Sequence, residues 1–259
     1  MKLIDGYVRS PLSGLAPWVL LALLSGPGRF EEAAAAALGL ALLTLWVGTR
    51  RGVPVHMLEG FGVAYFAVLA LLGLLAPDNI IGWLELWAGE LSNIALAFFA
   101  IFTLVIRKPF TMAYAKDTTP QEHWDSPLFY KINFAISAAW ALAFTTSAIA
   151  GAVGDAVLRD NENFWTAWII PIGAIIGAVS FTEFYPDYAT ATFALSIGET
   201  TEPPPPLLKA IDWLPPFLTV VGIAGWVSDA LPDVFAIALI VVGVAGSALM
   251  RKVIPAEQS

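Results

Sequence analysis

Cysteine is missing from this chain altogether. Its absence excludes disulfides, thiolate nucleophiles, Cys-ligated zinc and iron–sulfur clusters. Histidine is nearly missing too. Only His56 and His123 occur, too few for a bundle that ligates haem or pigment in mid-membrane. Charge is scarce at 13% of residues, where a soluble domain carries about a quarter. The formal net charge is −8, and no run of four Lys or Arg appears. A nucleic-acid partner is therefore not expected, because phosphates need a basic stripe. A polybasic patch for lipid headgroups is missing as well. No G-x-S-x-G, HExxH or P-loop pattern occurs, and no Lys lies deep in an apolar run where a retinal Schiff base would need one.

What the chain has is apolar length. Hydrophobic residues make up 58% of its 259 positions, too many for a fold whose surface faces water. A spanning helix needs roughly 20 apolar residues. On that measure the chain divides into eight segments, at 12–25, 32–49, 54–76, 90–106, 127–153, 163–184, 213–227 and 232–250. The first is short and opens on Ser10-Pro11, a cap with proline at the first helical position. Lys2 and Arg9 precede it, but Pro11, Gly14 and Pro17 interrupt the apolar stretch beyond them, unlike a cleavable signal. Residues 80–89, with Trp83, Glu85 and Trp87, read as an interfacial stretch before segment four. Thr119-Pro120-Gln121-Glu122 reads as a capping box for a short surface helix, and Ser126-Pro127 as the cap of segment five. Pro171 is expected to kink segment six. Pro203–Pro206 is expected to form a stiff spacer. The expected organisation is a six-segment module at 1–188, a Pro-rich cytoplasmic linker at 189–210 and a transmembrane hairpin at 211–259.

Charge placement tests this map. With eight crossings and a cytoplasmic N-terminus, one side receives Lys2, Arg9, Arg50, Arg51, Arg107, Lys108, Lys116, Lys131, Lys209, Arg251 and Lys252. The other receives only Arg29 and Arg159. That asymmetry is the positive-inside signal, and it places both termini in the cytoplasm. Trp83, Trp87, Trp165, Trp213 and Trp226 fall near segment ends, where an aromatic belt sits.

Several polar residues stand out against the apolar background. Glu59 lies in segment three with His56 three residues before it on the same helical face. It is either a proton-coupling or substrate-binding acid, or a structural carboxylate that snorkels toward Arg50 and Arg51 or pairs with Lys131. Its position near the interface favours the structural role. Glu90 and Asn93 share a face of segment four, and Asn133, Ser137 and Trp140 share one of segment five. Interhelical hydrogen bonding is the commoner use of such groups, and the lining of a polar cavity is the alternative. The loop His123-Trp124-Asp125 with Lys131 brings a base, a carboxylate and an amine close together. Trp124 anchoring at headgroups is preferred to catalysis there. The stretches 110–114 and 181–186 each carry Phe-Thr and Tyr, either as interface anchors or as two parts of one surface. The pairs Gly173/Gly177, Gly60/Ala64 and Gly243/Ser247 permit close packing, by default within the chain, with an oligomer face left open.

Arg107-Lys108-Pro109-Phe110, Trp124, Asn133 and the stretch Ala139-Trp140-Ala141-Leu142-Ala143-Phe144 resemble the intracellular septation protein A family, as does the early Leu15-Ala16-Pro17. The resemblance covers about residues 12–188. It departs after segment six, where the proline spacer and last two segments look like an addition. It implies a polytopic protein of the bacterial inner membrane, connected with envelope integrity or cell division and acting through partners. It supplies no catalytic residue.

The expectation is thus an all-α transmembrane bundle, non-enzymatic and without cofactor. Its partners are membrane lipids and other membrane proteins. It presents the 108–126 loop and the acidic 183–202 stretch in the cytoplasm. A transporter with a cavity near Glu59, Asn93 and Asn133 is the first alternative. A subunit of an energy-converting complex, with an outward apolar groove, is the second.

Overall fold

The computed structural model describes residues 11–160, 162–199 and 202–254. The Ser10 cap and the placement of Lys2 and Arg9 lie outside them. Among the described residues there are helices and no strands: α1 (Pro11–Leu24), α2 (Phe30–Arg50), α3 (Met57–Leu75), α4 (Asp78–Val105), α5 (Thr111–Thr118), α6 (Pro127–Ala152), α7 (Ile170–Ser196), α8 (Leu214–Val227) and α9 (Asp233–Val253). Seven helical stretches are long and apolar enough to cross a bilayer, and α1 is apolar but shorter. The protein is a multi-pass membrane protein by the length and composition of its helices.

Two compact units divide the chain, Met1–Ala141 and Leu142–Ser259. In the first, α1 and α3 both pack on α2. Trp18 of α1 centres the packing, stacked on Tyr65 at 4.8 Å and tilted on Phe66 at the same distance. The interfacial stretch expected at 80–89 is not separate from segment four: α4 runs unbroken for 28 residues. At 1.5 Å per residue that is about 42 Å, longer than the roughly 30 Å hydrocarbon core. Near its start Trp83 stacks on Trp87, and Glu85 accepts the Gly28 backbone N–H at 2.8 Å.

The second unit holds the end of α6, then α7, α8 and α9. A wide π-type turn at Val153–Leu158 closes α6, and a second at Phe164–Ile169 opens α7. Pro171 stands second in α7, directly after that π-type turn, inside a helical stretch that runs on from Phe164 to Ser196. Helix α7 passes through Pro186 and continues to Ser196, so residues 189–196 of the expected linker are helical. The reason is the apolar, helix-compatible run Ala189–Ser196 before Gly198, which takes φ +79°. The Pro203–Pro206 spacer lies inside this unit, before the short turn Leu207–Ile211.

The small-residue patterns separate by use. Gly173 seats the Phe217 ring and Gly177 the Trp213 ring, so this GxxxG receives aromatic side chains and not a helix backbone. Trp213 is half-buried there. Gly222 and Gly243 carry the α8–α9 crossing. A Cβ on Gly222 would lie 2.7 Å from the Ala236 carbonyl oxygen, and one on Gly243 would strike Thr219. Gly60 and Ala64 are exposed, with nothing near Gly60.

Candidate functional site

A cluster of charged and polar side chains forms in the first unit where α3 begins and α5 lies alongside. His56 is the residue before α3, and its backbone N–H donates to Glu59 Oε2 at 2.8 Å. This is the reciprocal half of a capping box, which fixes the carboxylate against the helix start. The imidazole is held on both sides. Nδ1 lies 3.2 Å from Glu59 Oε2, and Nε2 lies 2.9 Å from Asp117 Oδ2. The Tyr114 hydroxyl donates to Glu59 Oε1 at 3.1 Å, and its ring stacks on the imidazole at 4.2 Å. The His56 side chain is 3% exposed, Glu59 11% and Asp117 15%.

Local sequence explains the arrangement. Thr111, Tyr114 and Asp117 are spaced by three on α5, so they line one side of a single short helix. Gly14 of α1 lets the assembly close, since a Cβ there would come within 3.2 Å of the Tyr114 hydroxyl and 3.1 Å of Leu58. Burial pulls the His56 pKa down. The hydrogen bond and charge of Glu59, with those of Asp117, outweigh it and hold the imidazole above its usual value. Burial, then the Glu59 charge, push the Tyr114 hydroxyl well above the usual phenol range, so it remains a donor.

A second polar group joins α5 to α6. The Thr111 hydroxyl donates to the Asn133 carbonyl oxygen at 3.0 Å and lies 2.9 Å from Ser137 Oγ. The Thr111 N–H, otherwise an orphan at the helix start, donates to Ser137 Oγ at 3.3 Å. Asn133 Nδ2 donates back to the Phe129 carbonyl at 2.9 Å. Thr111, Asn133 and Ser137 are all buried.

The residues singled out from sequence fall in several different places. Glu59 and His56 meet, as their spacing indicates. Lys131 is exposed, and Glu59 is held by His56 and Tyr114. Glu90 is buried in α4 and Asn93 is half-buried. Ser92, between them, accepts from Tyr65 of α3 at 3.1 Å. Arg107 and Lys108 are exposed after α4. Arg107 takes φ +57°, and the Lys108 N–H closes on the Thr103 carbonyl at 2.8 Å. His123 is exposed, 3.6 Å from Glu122. Trp124 donates to the Thr119 carbonyl at 2.9 Å, with the Lys116 ammonium 5.0 Å over its ring. The capping box expected at Thr119 gives only a 3₁₀ turn at Gln121–His123, because Thr119 instead ends α5. Ser126 does cap α6, accepting from the Phe129 N–H at 3.1 Å. Phe110 and Tyr114 point into the unit, buried, and are not anchors in the bilayer interface. The set Thr111, Tyr114 and Asp117 emerges only from the structure. Its three-residue period on α5 is the one signal of it that the sequence carries.

Each unit contains a hollow. A recess of about 10 Å³ beside Glu59 is also lined by Ser13, Thr44, Gly48, Thr49 and Val53. It has room for about one water. In the second unit an open apolar groove of about 420 Å³ is lined by Trp165, Leu231, Phe235, Ala238, Leu239 and Val242. No protein-family model matches the chain, and comparison with curated proteins and with solved structures finds no match.

Proposed function

We propose that this chain is a non-enzymatic scaffold or accessory protein of the bacterial cytoplasmic membrane. It crosses eight times, α1 included, with both termini in the cytoplasm. There it offers other proteins the 108–126 segment, with Lys108, His123 and Trp124 exposed or half-exposed along it and exposed Arg107 and Lys131 flanking it. Acidic Glu183 lies at the middle of α7 and Asp187 one turn further on. With its opening π-type turn the helical stretch runs from Phe164 to Ser196, 33 residues or about 50 Å, so roughly its last 13 residues have room outside a hydrocarbon core of about 30 Å. The resemblance to the septation protein A family points the same way, toward envelope integrity or cell division through partners.

The observation that carries this reading is the use made of the buried polar groups. Thr111 bonds Asn133 and Ser137 across helices, and Tyr65 bonds Ser92. A transporter needs such groups to face a cavity that a solute can enter. The recess next to Glu59 has space for one water.

A second reading, an accessory subunit of a larger membrane complex, is favoured by the 420 Å³ apolar groove of the second unit. One experiment separates the three. The chain is purified in mild detergent, and co-purifying proteins, lipids and pigments are identified by mass spectrometry. A stoichiometric protein partner supports the scaffold. A pigment or the components of one energy-converting complex support the subunit. A lone chain carrying one specific small molecule overturns both in favour of transport.

A further inference from the structure

Both ring nitrogens of His56 face carboxylate oxygens, at 3.2 Å and 2.9 Å. An ionised carboxylate only accepts hydrogen bonds, and a neutral imidazole has one N–H. The two contacts can both be hydrogen bonds only while the ring carries two protons. Losing the Nδ1 proton leaves that nitrogen to the Glu59 backbone N–H, the other half of the capping box, and ends the charged link between the two carboxylates. The two carboxylates belong to different helices, Glu59 to α3 and Asp117 to α5. The imidazolium is therefore the cationic link between them.

We propose that the His56–Glu59–Asp117 bridge is a proton-operated latch, which holds α5 against the start of α3 when His56 is charged and releases it when His56 is neutral. The charged surroundings leave His56 as the titrating element. Its own helix contributes Glu59, and α5 contributes Asp117, Tyr114 and Lys116, whose ammonium sits over Trp124. Helix α1 brings no titratable side chain, and Lys131 of α6 is exposed. Arg50, the last residue of α2, and Arg51 after it are exposed as well. Tyr114 stays protonated throughout, so it does not drive the change.

The direction comes from proton counting. Docked His56 keeps its proton to higher pH than an exposed imidazole. The docked form thus binds more protons, and its advantage is complete below the exposed value of about 6.5. The advantage falls as pH rises through the raised docked value. One proton changes the ratio of docked to released α5 by at most about tenfold per pH unit. Release would alter the 108–126 surface, and that consequence alone rests on the scaffold reading.

The absence of cysteine makes the test direct. Spin labels on Thr118→Cys (α5) and Thr49→Cys (α2), both exposed positions, report the distance between α5 and the end of α2 in the full chain in liposomes. Between about pH 5.5 and about pH 9 the narrow distribution is expected to broaden toward longer distances. In a His123→Gln background, His56 is the single histidine, and its NMR titration gives its own midpoint. The two midpoints must coincide, and Asp117→Asn must move both to lower pH. A distance that ignores pH, or that changes at a pH unrelated to the His56 titration, overturns the latch. If Asp117→Asn is released at every pH, the coincidence of midpoints in the unsubstituted chain still decides. None of these results depends on a partner. Failure of the latch therefore leaves the scaffold reading intact, and failure to find a partner leaves the latch intact.

Discussion

Replacing Thr111 with Val keeps the side chain's shape and removes its hydroxyl. The structure allows the cost to be worked out. Thr111 Oγ1 donates to the Asn133 carbonyl at 3.0 Å and can accept the Ser137 proton at 2.9 Å. Ser137 is free to donate there because its oxygen already accepts the Thr111 N–H. The substitution thus removes two hydrogen bonds across the α5–α6 contact. Side-chain bonds between membrane helices average about 0.6 kcal/mol and reach about 1.7. The expected loss is about 1–2 kcal/mol, or a factor of roughly 5–30 in the folded ratio. Ser137→Ala should cost a similar amount. The double substitution should fall short of the sum by about 0.6–1.7 kcal/mol, since the second change removes a partner already lost. Unfolding in mixed micelles with rising dodecyl sulfate, followed by tryptophan fluorescence, measures all four corners of the cycle. In a hydrated cavity water would replace the missing hydroxyl, and the coupling would vanish. A Thr111→Val change within about 0.3 kcal/mol of neutral, with additive effects, would refute the dry interface and with it the main support for the scaffold reading.

Other substitutions separate packing from propensity. Gly222→Ala puts a Cβ 2.7 Å from the Ala236 carbonyl oxygen and should destabilise the α8–α9 pair by about 1–3 kcal/mol in the same unfolding assay. Gly39→Ala, in α2 with nothing within 4 Å, should instead stabilise by about 0.5–1 kcal/mol. Arg107 holds a left-handed conformation at φ +57°, so Arg107→Gly should stabilise by about 1 kcal/mol while Arg107→Ala does not. A thermal shift in detergent distinguishes the two.

Much of the fold was legible because solvent alone dictates it. An apolar run long enough to span must become a helix, since its backbone polar groups find no partners in hydrocarbon. Segments two to eight therefore appear close to where hydropathy places them. Boundaries moved where the local signals were ambiguous. Residues 80–89 joined α4 because nothing breaks the helix between Asp78 and Val105, and α7 ran on through Pro186 to Ser196. The site was legible only in part. His56 and Glu59 lie three apart in sequence, so their meeting could be read from helical geometry. Asp117 reaches His56 across 61 positions, a pairing that no periodicity reveals.

Amino-acid order was enough to establish a helical membrane protein without thiol chemistry, because composition and run length decide what a bilayer accepts. The work of its few polar side chains was settled only by the packing of the helices. Whether a buried carboxylate, amide or imidazole meets water or another side chain depends on which helices lie together. That choice is made by shape: Gly14 admits the Tyr114 hydroxyl, and α5 turns Thr111, Tyr114 and Asp117 toward partners on α6 and α3.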